Sequence, residues 1–458
     1  MRQAARASAA LLACAPGAAM AHASQRAVLM TLPTKGFVWG AGAVVALTAL
    51  ISGLTRRGPA FAARTLFARR QLAPDGLTSW LLAAFLLVLI LAGLCGTHDP
   101  YENPLPLWIW TVLWVGLTAL QVLFGNLWRD LNPWTGPVRT LRGLLGRTDG
   151  AGLCRLGQWP AALGLLAFAW FEIVSLSPDD PGELAVIVAL YWLAMFALAV
   201  AEGETWLAQG EFLTVFFTNV ARIAPFWAEY DGGRVTVKAG LPGAQVAGLP
   251  PLSSSAIAFL LLMIASVSFD GLHETYLWVG AIGLNPLDYP GRSAVVGVNT
   301  AGLLATWAIM AGLICGAIAV SLGRERARFP ELLGPLALSF LPIAAGYHVA
   351  HYLTALLTQG QYAIAALSDP LARGDDLLGL GPHWVGFGFL ADQDAVWTIW
   401  TAQFAIILGA HLTAVLLSHR IAAEAGLRLT AWQELPLTAL MVLYTCFGLW
   451  LLAAPAIG

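Results

Sequence analysis

Gly346-Tyr347-His348-Val349-Ala350-His351-Tyr352 lies inside a long apolar run, 332–357, and its reading decides what kind of protein this is. A helix of that length spans the roughly 30 Å of hydrocarbon in a bilayer. On such a helix His348 and His351, three residues apart, share one side. Ionisable groups are costly at membrane depth, and those found there commonly belong to a site. The plainer reading is a pair of neutral histidines bonded to neighbouring helices. Both readings stand at this point.

Working outward, the 458-residue chain is 58% hydrophobic and 11% charged, against roughly 25% charged in soluble domains. It is expected to be an all-α, polytopic transmembrane bundle in the lipid bilayer. A formal charge of −2 offers nothing to a large polyanion, so no nucleic-acid partner is expected. The five cysteines lack CxxC or other ligand spacing; Cys14 falls in the expected signal peptide and the other four read as packing residues.

Arg2 and Arg6, a short apolar core and small residues through Ala23 read as a cleaved signal peptide, 1–23, before a bundle domain 24–458. Cleavage after Ala21 would leave His22 as a new amino terminus able to chelate copper; cleavage after Ala23 would remove it. Ten spans are expected near 33–54, 78–96, 106–126, 159–177, 184–202, 254–272, 296–321, 331–358, 395–417 and 433–455. Starting outside, ten crossings put both termini in the periplasm of a bacterial inner membrane. Arginine follows this order, with Arg292 and Arg373 as lone exceptions on the outer side. Arg64, Arg69, Arg70, Arg129, Arg139, Arg142 and Arg326 fall in inner loops, whereas Asp99, Glu102, Asp179, Asp180, Asp375 and Asp376 fall in outer ones.

The 203–252 segment, expected to be cytoplasmic, divides the spans into two five-helix halves. Trp206 to Arg222 is expected to lie on the membrane surface with Glu204, Glu211 and Arg222 facing water. Arg234 to Lys238, followed by Gly240-Leu-Pro-Gly243, reads as a short hairpin.

With orientation set, Glu172 on the fourth span, Asp270 and His273 on the sixth, and His348 and His351 on the eighth reach one outer layer. Convergence in depth is the functional argument; convergence sideways is an expectation. His348, His351, His273 and Asp270 would suit a divalent transition metal such as Zn, Mn, Fe or Cu, with Glu172 or Asp270 as catalytic base. The same groups would also serve as a proton relay. His98 and His383 fall on external loops, and His411 and His419 lie eight apart on the ninth span. A deep His411 would also suit axial haem ligation. No Walker, GxGxxG, GxSxG or haem-attachment motif occurs.

Phe124-Gly-Asn-Leu-Trp-Arg-Asp-Leu-Asn-Pro-Trp134, Trp159-Pro-Ala-Ala-Leu-Gly164 through Glu172, Ser268-Phe-Asp-Gly271, Val349-Ala-His-Tyr352 and the His411…His419 span carry a resemblance. In these stretches the chain resembles bacterial polytopic membrane proteins labelled fenitrothion (organophosphorus) hydrolases. The resemblance implies hydrolysis of an apolar phosphotriester at the membrane and carries over no catalytic residue. Three functions are therefore expected in competition. One is a membrane-embedded, metal-dependent hydrolase of apolar small molecules. The others are a cation, proton or metal-handling transporter and a structural partner of another membrane protein.

Overall fold

The computed structural model describes residues 34–54, 62–70, 76–246, 249–381, 383–427 and 430–457. The expected signal peptide and His22 lie outside the described residues. The principal helices are α1 Thr34–Leu54, α2 Leu77–Cys95, α3 Pro104–Phe124, α4 Thr135–Leu144, α5 Trp159–Val174 and α6 Pro181–Glu202. There follow α7 Glu204–Gln209, α8 Phe212–Ala221, α9 Ser254–His273, α10 Val296–Leu322, α11 Leu341–Ser368, α12 Gln393–Glu424 and α13 Ala431–Ala453. Among the described residues, seven stretches are long and apolar enough to cross a membrane, and one of them, Val296–Ser368, holds both α10 and α11. Gly36–Ile51 and Trp159–Val174 are apolar but shorter. The chain is thus a multi-pass helical bundle suited to a bilayer, and each expected span coincides with a helix.

Burial decides which helix is central. The apolar window of α9 is 78% buried, that of α6 only 17%. A helix that is apolar all round is one enclosed by neighbours, and α9 packs against α5, α10, α11 and α13. With lipid on the outside, helices associate through close packing rather than through a hydrophobic effect. Small residues supply that closeness: a Cβ on Gly346 of α11 would come 2.5 Å from Ala410 Cβ of α12.

Two expectations are corrected. Beside the helical bundle sits one small sheet, which includes the expected hairpin: β1 Ala63–Arg70, β2 Phe226–Asp231 and β3 Arg234–Gly240 pair antiparallel in the order β1-β3-β2. The hairpin turns at Gly232 and Gly233, not after Lys238. Both have positive φ, 50° and 78°, as a two-residue type I′ turn requires. Arg64, Arg69, Arg70, Arg234 and Lys238 gather on this sheet, which marks one end of the bundle. Residues 97–103, 175–180, 274–292 and 369–392 form the other.

The second correction concerns 204–221. This stretch does not lie on a surface with Glu211 facing water. Glu211 is fully buried, as are Phe212, Phe216 and Phe217. The chain reverses at Gly203, whose φ of 105° favours glycine, and α7 leads back into the bundle. Tyr191, midway along α6, donates its hydroxyl to Glu211 Oε1. The start of α8 therefore sits at the depth of the middle of α6. Ten residues of helix reach about 15 Å, half a bilayer, so α7 and α8 form a re-entrant hairpin. Buried backbone there must find partners inside the protein. Glu211 supplies them at the α8 start, accepting from Leu213 N at 2.8 Å and Thr214 N at 2.7 Å. The polar residues of this helix, Thr214 and Thr218 on one side, meet protein and not water: Thr214 accepts from Trp128 Nε1 and Asn132 Nδ2, each at 3.0 Å, and Thr218 from Asn126 Nδ2 at 3.3 Å.

Candidate functional site

Because α9 is central, its last turn delivers Asp270 to the middle of the bundle, near the end away from the sheet. Helix α11 lies in the groove between α9 and α3 and packs on both. Its residues therefore face two ways. His351 Nε2–H donates to Asp270 Oδ2 at 3.0 Å. The Tyr352 hydroxyl lies 2.7 Å from Asp270 Oδ2 and 3.0 Å from Glu172 Oε1 of α5. Three helices thus meet in one hydrogen-bonded network, Glu172–Tyr352–Asp270–His351.

Counting protons shows what this network holds. A phenol has one proton to give and a carboxylate has none. The Tyr352 proton serves Asp270 or Glu172 but not both as a full hydrogen bond. For both contacts to be hydrogen bonds, one further proton must be shared among the carboxyl groups. Such a proton would lie on Glu172 or Asp270, next to the Tyr352 hydroxyl.

It forms the floor of a cavity of about 300 Å³, whose walls include Trp110, Thr111, His273, Arg292, Gln359 and Gln403. Pro178, Asp179, Glu274 and Leu390, from the loops at that end, stand at its rim. Arg292 Nη1 donates to the carbonyls of Glu172 and Ser175 at 2.9 and 3.1 Å, tying the end of α5 to the rim. Beneath the floor a space of about 20 Å³ touches Trp114, Phe216, Ser266 and His348, room for about one water. Below it the aromatic rings close the bundle: Trp114 and Phe216 lie 4.6 Å apart with their planes tilted by 32°, and His348 meets Trp114 edge-on at 4.9 Å.

The expected residues divide here. Glu172, Asp270 and His351 come together. His348 is buried and turns to α3, where its Nε2–H donates to the Trp114 carbonyl at 2.9 Å. That residue lies within Leu107–Leu117, a stretch wound in wider π-helical turns, a form often seen at functional sites. His273 stands at the cavity wall, with its Nδ1–H on the Asp270 carbonyl at 2.7 Å. His98 is exposed, 3.4 Å from Asp180, and His383 is an exposed turn residue. Among the described residues no group of three or more His, Cys, Asp or Glu side chains gathers as a metal set. Tyr352, which has no site role in the sequence reading, joins the two carboxylates through its hydroxyl. Its one sequence signal is a phenol beside His351 at membrane depth.

The rim has an acid-sensitive part of its own. Asp376, in the 369–392 loop, accepts from Ser368 Oγ and Leu380 N at 2.8 Å and Gly381 N at 3.0 Å. The Ser368 bond and these amides hold its carboxyl below the usual aspartate range. A depressed value stabilises the loop above the ordinary aspartate pKa, and the effect fades as pH falls through the lowered one. Protection of the Leu380 and Gly381 amides, taken relative to the intrinsic exchange rate at each pH, is expected to fall over that acid range. In Asp376→Asn protection should be low and independent of pH; unchanged protection in the variant would refute this.

Comparison with family models, curated proteins and solved structures finds no match for the chain. The organophosphorus-hydrolase resemblance therefore rests on the quoted stretches alone.

Proposed function

We propose that this protein is a proton-linked transporter of the bacterial inner membrane, admitting a cation or a small apolar solute through the cavity. The cavity end faces the periplasm, along with both termini, and the arginine-rich sheet faces the cytoplasm, in keeping with the positive-inside rule. The observation that supports this best is the Tyr352 hydroxyl set between Glu172 and Asp270, with His351 on Asp270, on the floor of a cavity open at one end. A solute that alters the Asp270–His351 pair, by charge or by competing for its hydrogen bonds, would release or take up the shared proton. Ionisable groups placed in this way inside membranes are the usual means of coupling.

A divalent ion would find Asp270 and Glu172 as oxygen donors, and His351 once it gives up its bond to Asp270. His348 would have to leave the Trp114 carbonyl to join them. The test is proton movement in proteoliposomes carrying an internal pH dye, with Zn²⁺, Mn²⁺ and a neutral phosphotriester offered in turn. One of these should drive proton flux in the native protein and none in Asp270→Asn. Equal flux in both would refute the proposal.

One observation favours hydrolysis as a second reading. Asp270 accepting from His351 Nε2–H leaves Nδ1 of the same ring as a base, the pairing that orients a general-base imidazole. On this reading the cavity would admit a phosphotriester and His351 would activate a water. Release of the phenol from such an ester, lost in His351→Gln, would support it.

A further inference from the structure

Buried polar atoms continue from the cavity floor toward the sheet end, and three of them have no partner. The Tyr347 hydroxyl is buried without a hydrogen-bond acceptor, as is His411 Nε2 without a donor, and Ser321 Oγ is also unpaired. Buried polar atoms seldom stay unpaired, and each exception asks for a cause such as an ordered water or a function. These three lie along one route.

Tyr347 stands one turn before His351 on α11, their rings stacked 5.6 Å apart. Its ring lies against α13 one turn beyond Tyr444: a Cβ on Gly448 would come 3.3 Å from the Tyr347 ring. Gly271, next to Asp270, has no Cβ, and one placed there would strike the Tyr347 hydroxyl. Tyr444 of α13 shares a hydrogen bond with Ser268 of α9, and its ring is 6.1 Å from that of His411. The tautomer of His411 follows from a backbone carbonyl: Nδ1 contacts Ile407 O at 2.9 Å, and a carbonyl can only accept, so Nδ1 bears the proton. Its Nε2 is then a bare lone pair inside the bundle.

Two turns further along α12, about 12 Å, His419 repeats the pattern with Nδ1–H on the Val415 carbonyl at 2.9 Å. Its Nε2 therefore faces Glu434 Oε2, at 3.3 Å, lone pair to lone pair unless a proton lies between them. Ser321 and Ser418 line the same small space as this pair. The Glu434 side chain keeps 21% of its surface exposed, enough to exchange a proton with water.

We infer that a proton path crosses the bundle from Asp270–His351 through Tyr347, Tyr444–Ser268 and His411 to His419–Glu434. This rests on the proton-linked reading above and adds its inner half. A hydroxyl lacking an acceptor and an imidazole lacking a donor are the complements that bridging waters satisfy. His411 Nε2 takes up a proton from the Tyr444 side and hands the same proton on, its Nδ1–H staying on Ile407. At the sheet end the arriving proton joins Glu434 as the proton shared with His419 leaves to water. One proton moves and no bond other than to hydrogen changes.

The test is potential-driven proton flux in proteoliposomes, using a potassium gradient with valinomycin and an internal pH dye, with Zn²⁺, Mn²⁺ and the neutral phosphotriester offered in turn. Flux in His411→Gln and in Glu434→Gln should each fall at least about tenfold, as expected on losing a proton-transfer group. Glu434 is at the edge of the bundle, so its variant reports even if His411→Gln does not fold. Flux kept in Glu434→Gln, or in a folded His411→Gln, but lost in Asp270→Asn would overturn this path and leave the outer network standing. Native protein without flux would overturn both.

Discussion

Glu211→Ala is expected to lower the stability of the bundle by about 2–4 kcal/mol, from loss of a helix cap and from the Tyr191 hydroxyl left buried without an acceptor. The carboxylate takes four donors: the amides of Leu213 and Thr214 and the hydroxyls of Thr214 and Tyr191. The carboxylate can accept about four bonds, which matches these four donors. It also stands at the positive end of α8, at a depth where no water would replace it. Denaturation in mild detergent should show Glu211→Gln intermediate, since an amide oxygen still accepts from one backbone N–H. A native-like midpoint for Glu211→Ala would mean that α7 and α8 are not held as a re-entrant hairpin.

Tyr352→Phe carries the largest expected functional effect. It removes one oxygen and leaves Glu172 and Asp270 without the hydroxyl between them. The ring still contacts His348 and His351 at 5.0 and 4.8 Å, so the fold should persist. Solute-driven proton movement should fall about 10²-fold or more, the scale of losing a positioned proton-transfer group. A folded Tyr352→Phe with native flux would show that the hydroxyl is a packing contact.

Much of this was legible in the chain. Helix length and apolar runs placed the helices, and the spacing of Asp270, His348 and His351 placed a site near one end. Depth follows from counting residues along a helix, which is why Glu172, Asp270 and His351 were expected in one layer. Which side of a helix meets which neighbour is set by packing that no single segment encodes. His348 and His351 were expected to act together, yet α11 sits between α3 and α9, and so small a rotation sends one ring to each.

The re-entrant hairpin was missed for a related reason. Gly203 and Gly210 bracket six helical residues, and Glu211 reads as a solvated charge until Tyr191 is seen beside it. Glu434, Tyr347 and Tyr444 gave no signal alone, because a phenol or a helix-end glutamate is ordinary. Only their alignment with His411 gives them meaning.

The claim on which most depends is that the cavity-floor network holds an exchangeable proton among Glu172, Tyr352 and Asp270. Infrared difference spectroscopy of the native protein across a pH step tests it most directly. The expected result is a hydrogen-bonded carboxylic acid band that changes with pH and is lost or shifted in both Glu172→Gln and Tyr352→Phe. A native spectrum with no such band, or one indifferent to both substitutions, would contradict it.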